Sequence, residues 1–130
     1  MTTDLWMLVA TAMLCVGTTF VYGAGRFMQP GGAAWAAGNR EREFAVPGWV
    51  ARAVKVHANL VENIAPFAVL VLVAHVSGKA SASTALGASI FFWCRLAHLA
   101  VYVAGWRHVR SLLWFASWGG ASLILLALFK

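Results

Sequence analysis

Lys55, Asn59 and Glu62 stand at i, i+4 and i+7, with Arg52 one turn upstream, so on a helix all four fall along one stripe. Arg95, His98 and Tyr102 at i, i+3 and i+7 repeat the arrangement later in the chain, and Arg107 and Arg110 follow closely. The set holds one acid among several bases, with Arg26 a further candidate. Surplus positive charge at the rim of a low-dielectric region binds anions, such as carboxylates, phosphates or a thiolate, and the arginine fork suits a carboxylate. Metal chemistry is not expected. His57, His75, His98 and His108 have no HxxxH spacing and no nearby Cys or Asp set. Cys15 and Cys94 lie in separate apolar stretches without a CxxC, as small fillers would.

The elements that carry these residues are membrane helices. Of 130 residues, 62% are hydrophobic and 11% charged, which excludes an ordinary soluble domain. The expected fold is all-α, an integral membrane four-helix bundle forming one unit over residues 1–130, with spans near 5–25, 50–76, 83–104 and 112–129. No strand is predicted, and the nucleotide-fold glycine motifs are absent. Asp4 stands where a signal peptide would be basic, so the first helix is expected to stay. Between the first two spans, Gln29-Pro30-Gly31-Gly32 ends a helix, Trp35 among alanines predicts a short interfacial helix, and Pro47-Gly48 starts the next element. Pro66 cannot donate to the Glu62 carbonyl, which predicts a bend there. Arg95 lies roughly 15 Å inside its helix, farther than snorkelling comfortably reaches, so it requires a partner. Glu62, read as the sole acid within the spans, is the expected one.

The net charge of +6 does not predict nucleic-acid binding, because the charge gathers beside two connections. Arg26, Arg40, Arg42, Arg52, Lys55, Arg107 and Arg110 flank the first and third connections, while only Lys79 and Lys130 lie on the opposite side. The positive-inside rule puts the basic connections in the cytoplasm and both termini on the other side. A bacterial inner membrane is the expected location.

The run Arg52-x-x-Lys55-x-His57-x-Asn59-x-x-Glu62-x-x-x-Pro66-Phe67, preceded by Asn39-Arg40 and Pro47-Gly48, resembles the signature of the MAPEG family, the membrane-associated proteins in eicosanoid and glutathione metabolism. Arg95-x-x-His98-x-x-x-Tyr102, followed by Arg107 and Arg110, is similar to that family's third-helix pattern. The resemblance covers essentially the whole chain. It implies a homotrimer that binds glutathione as co-substrate between subunits near the cytoplasmic face and acts as a transferase or peroxidase on a lipophilic electrophile or hydroperoxide arriving from the lipid. It also implies that Arg26, Arg52, Lys55, Asn59, Glu62, Arg95, His98 and Tyr102 hold the tripeptide. Arg110, with Arg107 as its rival, takes the place of the arginine that activates the thiol. Lys55 is a departure, since the family's characterised enzymes have arginine there, and lysine keeps the charge without the fork.

Two other readings are open from the residues. A small four-span transporter or channel subunit would use Glu62 as its embedded coupling acid. An assembly protein would use the polar network only to fix its geometry.

Overall fold

The computed structural model describes residues 1–130 as five helices and no strand. Four of them, α1 (Thr3–Phe27), α3 (Gly48–Val76), α4 (Ala82–Ala104) and α5 (Arg107–Ala127), are long and apolar enough to cross a membrane. The chain is an all-α bundle of four membrane-spanning helices. The short α2 (Gly32–Ala37) sits around Trp35 in the first connection.

With 29 residues, α3 is about 43 Å long, which exceeds a hydrocarbon core of about 30 Å. Its first turns, with Arg52 and Lys55, therefore extend into the headgroup layer. It runs as one helix through Pro66. The third connection is only Gly105-Trp106: α5 begins at Arg107, five residues before the expected start of the fourth span. Gly105 ends α4 in the left-handed region at φ 91°, where its amide bonds back to the Val101 and Tyr102 carbonyls. That turn lets the chain reverse at once, so Arg107 and Arg110 stand on the first turns of a helix rather than in a loop.

At the other end, α1 includes Asp4, which is 1% exposed. Glu62 is therefore not the only acid in the spanning helices. Asp4 is fixed by the Leu5 amide at 3.1 Å and by the Thr84 hydroxyl of α4 at 3.2 Å.

Phe67 of α3 and Phe91 of α4 stack at 3.9 Å in the core, with Val71, Ala74, Ala88, Ala121 and Ile124 around them. The tightest crossing is between α4 and α5. A Cβ added at Gly87 would lie 2.5 Å from the Gly120 carbonyl oxygen, so this approach tolerates no side chain. α5 leans on α4 and touches α3 least of its neighbours in the bundle, which leaves a groove between α3 and α5 with α4 behind it.

Candidate functional site

The groove holds a cavity of about 490 Å³, within the usual size of small-molecule sites. Lys55, Ala58, Asn59 and Glu62 form its α3 wall, His98 and Tyr102 its back, and Arg110, Ser111, Trp114 and Phe115 its α5 wall. A second cavity of about 240 Å³ shares Lys55, Tyr102 and Arg110 and adds Arg52, Gly105 and Arg107 at the mouth. The mouth is lined by four cations and no acid.

Each wall follows from helical spacing. Lys55, Asn59 and Glu62 share one stripe, and Tyr102 lies one turn beyond His98, its ring 5.5 Å away and edge-on. The Arg110 guanidinium lies over the Tyr102 ring at 4.7 Å, a cation–π contact that holds the charge against the cavity's back wall. Arg52 donates its Nε to the Val103 carbonyl at 2.8 Å, capping the end of α4, where a cation complements the helix dipole.

Arg95 does not pair with Glu62. It is 2% exposed, donates Nη1 to Asn59 Oδ1 at 2.8 Å, and leaves Nε and Nη2 without partners. Three residues past Asn59, α3 has turned about 60° short of a full revolution, which carries Glu62 off the α4-facing side and into the open groove. Glu62 is exposed there. Arg95 thus stands behind the cavity wall, its guanidinium also 5.1 Å over the Phe91 ring of the core stack. Because a guanidinium only donates, the atom Asn59 turns toward it must be its oxygen, and the Asn59 amide N–H groups are left free of that contact.

Arg26 is not brought to the cavity within one chain. Its guanidinium lies over Tyr22 at 5.1 Å and over Trp35 at 5.4 Å, beside the first connection. His57, part of the α3 run, turns the other way: its Nε2 is 3.1 Å from Thr19 Oγ1 and 3.6 Å from Cys15 Sγ on α1. Both cysteines are free.

Sequence reasoning missed Ser111, Trp114 and Phe115. Starting the fourth span at 112 left Arg110 in a loop, so its helical neighbours at i+1, i+4 and i+5 were not read as one face.

The family model for the MAPEG family matches residues 4–130. The chain belongs to the MAPEG family. Comparison with curated proteins and with solved structures finds no match. As a MAPEG-family membrane protein the chain belongs to a group generally linked to glutathione-dependent chemistry. In this member the α3 residues Lys55, Asn59 and Glu62 and the α4 residues His98 and Tyr102 of the family-like runs meet around one cavity.

Proposed function

We propose that the α3–α5 groove binds glutathione and that the protein is a membrane-bound glutathione transferase or peroxidase acting on lipophilic electrophiles. The observation that carries this reading is a cavity with cations at its mouth, a single acid along its wall and apolar rings on the α5 side. Glutathione has two carboxylates, one ammonium and one thiol, and the donor set fits each. Arg52, Lys55 and Arg107 at the mouth suit the carboxylates, with Lys55 giving a point charge where a fork would be bidentate. Glu62 suits the ammonium. The Asn59 amide, turned by Arg95, offers N–H groups toward the cavity.

Glutathione supplies the nucleophilic sulfur. The chain's part is to favour the thiolate by placing the Arg110 guanidinium near it, each unit of pKa being worth about 1.4 kcal/mol, and to orient it. The thiol proton leaves to water, and the sulfur forms its bond to the electrophilic carbon at the side lined by Trp114 and Phe115 while the bond from that carbon to its leaving group breaks, the leaving group departing with the electron pair, as halide from an aryl halide. Arg110 is preferred to Arg107 as the activating group because it borders both cavities, whereas Arg107 borders only the mouth.

A trimer is part of the proposal. Ala58, Glu62, Ala65, Val69, Leu72 and Val76 alternate by four and three residues along α3, and all are exposed in one subunit. Glu62 lies roughly 20 Å from the start of α3, and a carboxylate facing lipid at that depth is costly. A neighbouring copy against this seam would cover it. The excess of Lys and Arg supports putting the basic connections on the cytoplasmic side, and a bacterial inner membrane is part of the same proposal.

Turnover with glutathione and an aryl halide tests the function. Arg110→Ala should lose turnover while keeping most of its glutathione affinity. An Arg110→Ala protein as active as the parent removes Arg110 from the chemistry.

A further inference from the structure

A further cavity lined by cations, of about 710 Å³, lies in the first connection, away from the groove. Arg26, Arg40 and Arg42 line it together with Trp35, Glu41 and Glu43. Trp35 is its organising side chain. Its ring stacks on Phe44 at 5.2 Å, carries the Arg26 guanidinium at 5.4 Å and the Arg40 guanidinium at 5.6 Å, and its indole N–H donates to the Arg42 carbonyl at 2.7 Å. Arg40 adopts a left-handed backbone, φ 58°, uncommon outside glycine, and its guanidinium reaches back to the Ala36 carbonyl at the end of α2. Glu41 takes its hydrogen bond from Asn39 rather than from an arginine. The Arg26 and Arg40 guanidiniums are thus held at one aromatic platform by contacts other than ion pairs, and Arg42, tied to the same ring through its backbone carbonyl, completes the basic lining.

We propose that this cavity binds the phosphodiester of a membrane phospholipid headgroup, with Arg26, Arg40 and Arg42 supplying the charge and Trp35 and Phe44 the platform. Arg26 is in the last turn of α1, so the cavity sits where a spanning helix meets the headgroup layer, and basic side chains there attract acidic lipid. Several guanidinium forks lining one cavity suit the oxygens of a phosphate better than a single flat carboxylate. Three arginines against two glutamates leave one positive charge, which matches the single charge of a phosphodiester and not the two of a phosphomonoester. The indole and phenyl rings give the glycerol and ester atoms an apolar floor. The inference does not depend on what the groove binds.

Native mass spectrometry of the detergent-purified protein, titrated with phosphatidylglycerol, tests it, with inorganic phosphate and glycerol phosphate as separate arms. The parent protein should retain phosphatidylglycerol, and Arg40→Gln/Arg42→Gln should bind it roughly thirty-fold more weakly, at about five-fold per guanidinium. Arg40→Lys/Arg42→Lys keeps the charge that orients the chain but loses the forks, and should still bind several-fold more weakly. The thermal midpoint of each variant, matching the parent's, shows that the fold is intact. Competition by inorganic phosphate or by glycerol phosphate assigns the cavity to a free anion and overturns the lipid proposal, whereas competition by neither supports it. Absence of phosphatidylglycerol binding by the parent overturns the proposal. So does a lysine variant that binds as the parent does, which would reduce the cluster to diffuse charge, or a loss of glutathione affinity in step with the lipid.

Discussion

The two ends of the bundle treat their polar groups differently. Where α1 begins and α4 starts, each named group meets a partner: Asp4 takes the Leu5 amide and the Thr84 hydroxyl, Ser81 and Thr84 cap α4 reciprocally, and Lys79 donates to the Leu128 carbonyl. From the middle of the bundle to the end where α4 gives way to α5, Arg95 keeps two unpartnered nitrogens, Glu62 and Lys55 are exposed on the groove wall, and four cations face one another across the mouth without an acid. Unmet polar groups are expensive in lipid. A fold that satisfies them in one half and leaves them open in the other is what the proposed ligand site in the second half requires.

Substitutions separate the two roles. The largest effect is expected for Asn59→Leu, which takes from the buried Arg95 its only hydrogen-bond acceptor. It should cost about 3 kcal/mol of stability and abolish glutathione binding, seen by thermal unfolding in detergent and by equilibrium dialysis. Next, Arg110→Ala should lower turnover about 100-fold, as loss of one charge-stabilising donor does, with little change in the unfolding midpoint. At the opposite end the signs reverse. Asp4→Ala strips the Thr84 hydroxyl and the Leu5 amide of an acceptor and should cost about 1–2 kcal/mol while glutathione affinity stays at the parental value. If Asp4→Ala weakens glutathione binding as strongly as it weakens the fold, the division between the ends fails. The smallest change is Ser81→Ala, which removes the α4 cap for about 1 kcal/mol, read as a lowered midpoint with unchanged turnover.

Much of this organisation is legible in the sequence because membrane helices announce themselves by length and apolarity, and because a stripe of Lys55, Asn59 and Glu62 needs only helical periodicity. What sequence does not carry is the rotation of one helix against another. Both Glu62 and Asn59 lie on the stripe, and a depth argument alone favours the acid as partner of Arg95. The relative rotation of α3 and α4 gives that place to Asn59 and leaves Glu62 in the groove. The start of α5 was hidden for another reason: a cluster of Arg107, His108 and Arg110 reads as a loop by polarity, while Gly105 lets the chain turn in two residues. Asp4 stands one residue before the expected first span and reads only as an argument against a signal peptide; the packing of α1 on Thr84 reveals that it is buried. Arg26 belongs by resemblance with the glutathione set, but the aromatic side chains of Tyr22 and Trp35 claim it within one chain.

The central claim, that the open end of the bundle binds glutathione and favours its thiolate, is tested most directly by titrating glutathione into the purified protein at neutral pH and following thiolate absorbance. A saturable band that disappears in Arg110→Ala is the predicted result. Saturable binding with no thiolate band in the parent protein would contradict it.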